Sequence, residues 1–264
     1  MKKKIKILHI VSSFNKNQGG PPEAIKNIAY SLRSNKKIQS SLITSSNIIL
    51  KLKYFTKVSN NKLFLKKFYL PSIQMLINMW DQIKKNDVIH VHNYWNVVVF
   101  FGLYFSILLK KKIILSPHGS FDNFNLKKSY LKKYVFFHIF GIYQLKKIAG
   151  IHYLTKNEEN NSFLKNKTNT KKLILSNFSK KIFVTTKPKE IINKNLNFCF
   201  IGRLDEVKNI KFQIKLINYL HKIRIRAYLH IIGPDFGEKK KLIKAIKNYS
   251  LENYVKIYDP IFSK

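Results

Sequence analysis

IKILHIVSSFNKNQGGPPEAIKNIAYSLR, residues 5–33, holds the pattern from which the architecture follows. The run Ile5–Val11 is short and rich in Ile and Val, as a buried parallel strand requires. Gly19 and Gly20 lead into Pro21-Pro22. Proline suits the first turn of a helix, where a residue has no intrahelical N–H bond to lose, so a helix is predicted over Pro22–Arg33. The alternation continues outward. Strands are predicted over Ser41–Thr44, Val88–His92, Lys112–Ser116, Gly150–Leu154 and Lys172–Ser176. Helix-length segments lie between them, at Pro71–Lys85, Trp95–Leu109, Leu126–Lys147 and Asn157–Leu164. Strands alternating with helices imply βαβ units and a doubly wound sheet covered on both faces.

Residues 1–177 therefore read as one Rossmann-like domain and the polar stretch 178–195, with Pro188, as a linker. The pattern restarts over 196–264: strand Leu196–Ile201, helix Asn209–His221, strand Ala227–Ile232, helix Glu238–Tyr249, strand Tyr254–Tyr258. Three strands and two helices make about half of a doubly wound domain. The fold class is α/β, with two Rossmann-like domains, the second incomplete.

Composition narrows the function. The chain has 264 residues, with 50 Lys+Arg against 13 Asp+Glu, a formal charge of +37. Such a surface attracts polyanions. The lysines are scattered along the whole chain and Arg is scarce, whereas a dedicated nucleic-acid reader concentrates charge and uses Arg. The excess is read as a compositional habit with attraction to anionic membrane as a by-product, and a specific nucleic-acid partner is not expected. A basic nucleic-acid-binding protein and a non-catalytic glycan-binding scaffold are the rival readings. One cysteine, Cys199, excludes an internal disulfide and a cysteine metal cage, and its apolar context LNFCFIG predicts a small core residue. The N-terminal apolar run is too short for a signal peptide and meets Ser12, Ser13 and Asn15 at once. The longest apolar stretch, Asn96–Leu109, falls short of the ~20 residues that span a bilayer. The expected location is the cytoplasm, with peripheral contact at the inner membrane face.

Four segments can carry chemistry. In NQGGPPEAI, Gly19 and Gly20 let a ligand approach the backbone beside a helix N-terminus, although a plain turn reads the same way. In VIHVHNYW, His90 and His92 share a face of one strand; no third ligand stands at fixed spacing, so packing is expected and metal is not. In LSPHGSFD, His118 follows a strand between Pro117 and Gly119, where an imidazole can meet a ligand. In FIGRLDEVKN, Arg203 and Lys208 flank a helix start and suit a diphosphate.

GGPPEAI, VIHVHNYW, LSPHGSFD, LILSNF, FIGRLDEVKN and LHIIGPD, in that order, resemble the retaining GT-B glycosyltransferases. The likeness runs from Lys4 to the end of the chain, and is closest to bacterial members that assemble lipopolysaccharide and other surface polysaccharides. The resemblance implies a nucleotide-sugar donor, a glycan or lipid-linked acceptor and no cofactor. It implies that Gly20 faces the donor phosphates and the acceptor, and that His118 contacts the transferred sugar. Arg203 and Lys208 would bind the diphosphate as the anomeric bond breaks. The family's pair of glutamates for ribose and sugar is absent before the final DPIFSK, so a fragment without turnover is expected.

Overall fold

The computed structural model describes residues 4–14, 20–45, 55–60, 63–65, 70–177 and 195–261. Gly19 and all of the predicted linker except Asn195 lie outside these residues. The chain divides into two compact units, Met1–Lys180 and Lys181–Lys264.

The first unit runs β1 (Ile5–Ile10), α1 (Gly20–Leu32), β2 (Ile38–Thr44), β3 (Lys57–Asn60), β4 (Leu63–Leu65), β5 (Leu70–Pro71), α2 (Ile73–Lys85), β6 (Val88–His92), α3 (Val97–Leu108) and β7 (Lys112–Ser116). It continues through α4 (Asn123–Lys127), α5 (Tyr130–Phe136), a π-helical turn (Phe137–Gly141), α6 (Ile142–Lys147), β8 (Gly150–Tyr153), α7 (Lys156–Asn161) and β9 (Lys171–Ile174). Seven strands form one parallel sheet in the order β3-β2-β1-β6-β7-β8-β9.

Alternation along the strands divides the sheet into two faces. Leu8 and Ile10 of β1 join Ile89 and Val91 of β6 in the main core, beneath Met75, Met79 and Ile83 of α2 and Val98, Val99 and Leu103 of α3. On the other face Val11 and Leu42 pack with Ile25 and Ala29 of α1. Side chains start both core helices: Ser72 Oγ accepts from Met75 N at 3.2 Å before α2, and Asn96 Oδ1 from Val99 N at 2.8 Å before α3. Each cap meets a backbone donor that the helix cannot.

The second unit holds β10 (Leu196–Ile201), a 3-10 turn (Glu206–Lys208), α8 (Ile210–Lys222), β11 (Ala227–Ile232), α9 (Lys239–Asn248) and β12 (Val255–Tyr258). Its three strands are parallel in the order β10-β11-β12. Ile210, Ile214 and Ile217 of α8 and Leu242 and Ile246 of α9 pack with Leu229, Ile231 and Val255.

Three expectations are corrected. The helix predicted over Leu126–Lys147 breaks after α4, because Ser129 takes a left-handed backbone (φ 59°), and then widens into the π turn. At that turn a Cβ on Gly141 would stand 2.7 Å from the Phe137 ring, so glycine is what fits. The short β3, β4 and β5 were not expected. Cys199 is exposed on β10 rather than buried, because Leu196, Asn197 and Phe198 beside it are exposed too and this strand has no covered face there.

Candidate functional site

From β1 the chain moves outward to β2 and β3, then returns past β1 to β6 and continues to β9. The reversal between β1 and β6 is a topological switch point, and ligands of doubly wound sheets bind beyond the strand C-termini there. Gly20 opens α1 on the β1 side; it is exposed, and a Cβ built on it meets nothing within 4 Å. On the other side lie Asn93 after β6 and His118 after β7, both left-handed, at φ 65° and 48°. Left-handed residues other than glycine are uncommon and gather at functional sites.

The His118 turn is held from several directions. Glu158 accepts from Gly119 N at 2.8 Å and from Leu154 N at 2.7 Å, tying the turn to the end of β8. Asn125 Nδ2 donates to Gly119 O (2.8 Å) and Trp95 Nε1 to Ser120 O (2.6 Å). Gly119 itself sits at φ 75°, where a side chain would be strained. Beside the turn, Asp122 Oδ1 is buried without a partner among the described residues; burial first, and then the Glu158 charge, raise its carboxyl above the usual range.

Beneath the turn lies a group of imidazoles on the α1 face of the sheet. His9 of β1 is in register with His90 of β6, and His92 ends that strand. His9 Nδ1 is 3.1 Å from His92 Nε2, and His92 Nδ1 is 3.1 Å from His118 Nε2. A second chain runs from His90 Nε2 to Ser116 Oγ (2.8 Å), on to His152 Nδ1 (2.9 Å), and ends with His152 Nε2 against Leu175 O (2.9 Å). Burial lowers His9 and His118 to about 4. It also lowers His90 and His92 well below 6.5, helped by the neighbouring imidazoles. All four are neutral at neutral pH.

The sequence spacing offered no third metal ligand beside His90 and His92, yet His9 supplies one from the adjacent strand. One nitrogen from each of the three lies within 4.8 Å of the others. The trio is nonetheless a poor metal cage. Both His92 nitrogens are engaged, and among the described residues no carboxylate or thiolate joins this group to balance a buried divalent charge.

In the second unit the loops after β10 and β11 are fastened together. Gly202 N donates to Ile232 O and Leu204 N to Pro234 O, both at 2.9 Å. Gly233 (φ 155°) lies so close that a Cβ would stand 1.8 Å from Gly202 O. Arg203 is partly exposed, with Nη2 4.0 Å from Asp205 Oδ2 and its guanidinium 4.9 Å from the Phe236 ring centre. Lys208 is exposed and, among the described residues, makes no ion pair. Asn209 follows at φ 47°, and no side chain caps the start of α8. The nearby cavity of about 190 Å³ is lined by Asp205, Glu206 and Glu238 together with Lys211 and Lys241, and neither Arg203 nor Lys208 lines it.

The structure thus brings His118, His92, His90 and the unsuspected His9 and His152 together in one unit, and in the other it places Arg203 after β10 and Lys208 just before α8. Sequence reasoning missed Glu158, although Thr155-Lys156-Asn157-Glu158 carries the helix-starting spacing of a capping box; Thr155 Oγ1 accepts from Glu158 N at 3.0 Å.

Comparisons with known proteins bear on these two sites. Residues 183–261 match the family described as Glycosyl transferases group 1. No curated protein matches the chain in sequence. Among solved structures, HepE of Anabaena in complex with UDP-glucose superposes with a TM-score of 0.69 at 15% identity, covering 98% of this chain and 70% of that one. A variant of TarM from S. aureus, in complex with fondaparinux, alpha-GlcNAc-glycerol and UDP, gives 0.67 at 12% identity, covering 97% and 78%. The lipopolysaccharide outer core galactosyltransferase WaaB gives 0.58 at 15% identity, covering 97% and 68%. The chain has the GT-B fold, built from Rossmann-like units. The fold and the matching segment together support a glycosyltransferase.

Proposed function

We propose that this chain contributes the diphosphate-binding and sugar-contact residues for transfer of a sugar, with retained configuration, from a nucleotide-sugar to a glycan or lipid-linked acceptor in surface-polysaccharide assembly. The observation that carries the reading is the uncapped α8 start just after Lys208, with Arg203 following β10, inside the segment that matches group 1 glycosyltransferases. Exposed cations and unclaimed N–H groups there favour a diphosphate. As the bond from the anomeric carbon to the diphosphate breaks, the two cations stabilise the charge that develops. The acceptor oxygen bonds to that carbon from the same face, and its proton passes to the departing phosphate. The step uses no metal and no cofactor. His118 contacts the sugar, and Gly20 borders the phosphates and the acceptor.

The acceptor has a suitable place in the first unit. A cavity of about 360 Å³ is lined by Trp95, Leu126, Tyr134, Phe137 and Phe163, with Lys127 and Lys133 among its walls. Trp95 also holds the His118 turn, so the cavity adjoins that turn. An apolar hollow with cations suits an amphiphile with an anionic head. Around it Leu131 is 71% and Ile139 62% exposed, amid lysines over 127–147, which suits peripheral contact with anionic lipid. Among the described residues no helix is long and apolar enough to cross a membrane.

Calorimetry of the full chain with UDP tests the donor site without requiring turnover. Binding is expected, weakened at least tenfold by Arg203→Ala or Lys208→Ala. Absence of binding at millimolar UDP, or equal affinity in both variants, would remove the donor-site reading. Co-sedimentation with anionic vesicles should fall steeply with salt; equal binding to neutral vesicles would remove the electrostatic part.

A further inference from the structure

We propose that His9 and His92 are positioning residues that fix the tautomer of His118, so that His118 presents Nδ1–H as a donor to an oxygen of the bound ligand. This deepens the reading of His118 as a sugar contact and rests on it only for the ligand's identity. A neutral imidazole has one N–H and one bare nitrogen, so a chain of touching rings has a direction. Setting one end sets every ring.

The chain through Ser116 shows the principle. Leu175 O can only accept, so His152 Nε2 carries the proton. A bare His152 Nδ1 accepts from Ser116 Oγ, which in turn accepts from His90 Nε2–H. Its direction is set by a backbone carbonyl.

The chain to His118 is set from its other end. His9 Nε2 is buried and has no hydrogen-bond partner among the described residues. The nearby Phe55, with ring centre 6.0 Å from that of His9, offers no polar atom. An orphaned buried N–H is rarer than an orphaned acceptor, so the bare nitrogen belongs at His9 Nε2 and the proton at Nδ1. His9 then donates to His92 Nε2, and His92 Nδ1–H donates to His118 Nε2. That leaves the proton of His118 on Nδ1, for which no hydrogen bond is found among the described residues. The ring cannot act as a base through that atom. It is a fixed dipole, matched to a hydroxyl or phosphoryl oxygen and mismatched to an ammonium group.

The tautomers can be read directly, by long-range proton–nitrogen correlation on the full chain labelled with 15N-histidine, at pH 7. His9, His92 and His118 should show the Nδ1–H pattern, and His90 and His152 the Nε2–H pattern. His118→Gln assigns the His118 signals. In His92→Phe, His118 should lose its Nδ1–H pattern, and in His92→Asn, whose amide can donate from the same place, it should regain it. An Nε2–H or doubly protonated His118 in the unmodified chain overturns the proposal, even if both variants fail to fold. So does stoichiometric Zn²⁺ uptake that shifts the His9 and His92 nitrogens, since the trio would then be a metal site. No substrate is added, so this can fail while UDP binding at Arg203 and Lys208 holds, and the reverse.

Discussion

At its strand ends the first unit places imidazoles that burial keeps neutral, while the second unit places a partly exposed Arg203 after β10 and an exposed Lys208 just before an uncapped helix. The main sheet of each unit is parallel, so one kind of sheet carries two ways of meeting a ligand. Fixed dipoles in a dry interior keep their orientation and act at close range. Exposed cations are screened by water and salt until a bound ligand displaces it. The first arrangement suits orienting an uncharged sugar, and the second suits drawing in a diphosphate. The coverage of the strands follows the same division: β6 and β8 are almost wholly buried, whereas β10 is largely open.

Acid is expected to break the comparison most strongly. When the first unit unfolds, His9, His90, His92 and His118 become free to protonate near the ordinary 6.5. In the folded unit His9 and His118 stay neutral down to about 4. Between these values the unfolded state binds more protons, so stability falls as pH drops through the window from 6.5 to 4. At about 1.4 kcal/mol per pH unit, His9 alone removes roughly 3 kcal/mol. Asp122 works the other way: its raised carboxyl takes up a proton earlier in the folded state and adds stability as pH falls. Both tryptophans, Trp80 and Trp95, lie in the first unit. The urea midpoint followed by tryptophan fluorescence should therefore drop steadily from pH 6.5 to 4.5. A level midpoint would mean that the imidazoles are not held neutral.

The loop junction of the second unit should be next in magnitude. Gly233→Ala would drive a Cβ into Gly202 O, and backbone on both sides leaves no flexible group to yield. A loss of at least ~2 kcal/mol is expected, with faster hydrogen exchange over residues 227–258 and weaker UDP binding. The tryptophan transition of the first unit should not move. If exchange in the second unit stays as slow as before, the two loops do not meet as described.

All strands of the main sheet but β3, and the restart at Leu196, were legible in the sequence because short Ile/Val runs alternate with helix-length segments. The π turn and the break at Ser129 were not, since KKSYLKKYVFFHIFG reads as one amphipathic segment and a left-handed serine leaves no mark in hydrophobic pattern. Of the sites, His118 and Arg203 stood out because each follows a strand, and Lys208 because it stands at a helix start. The contribution of His9 could not be read, because it depends on the register of β1 against β6, which sequence spacing within one strand does not carry. Cys199 misled because an apolar neighbourhood implies burial only where both faces of the strand are covered.

A smaller effect tests how the His118 turn is held. Glu158→Ala removes the acceptor of two backbone N–H groups, on Gly119 and Leu154. Leaving buried donors unsatisfied costs about 1–3 kcal/mol, and the tryptophan transition should shift accordingly. Glu158→Gln keeps one good acceptor and should lose less. Equal loss in the two variants would show that the carboxylate charge, rather than its two acceptor atoms, holds the turn.

The smallest effect concerns Cys199, where open β10 and the buried strands of the first unit can be told apart by a single atom. Cys199 is in register with His230 on β11, and residues 196–199 are all exposed, so neither face of the strand shields the thiol. Removing its sulfur creates no cavity, and Cys199→Ser should change stability by less than ~0.5 kcal/mol, the range of an ordinary surface change. A maleimide should label the native protein about as fast as it labels the protein in urea. A thiol in a packed core would instead be silent until unfolding and would cost several times more to replace. Slow native labelling that urea accelerates a hundredfold would therefore show β10 covered in solution, and the division between a closed first sheet and an open second one would have to be withdrawn.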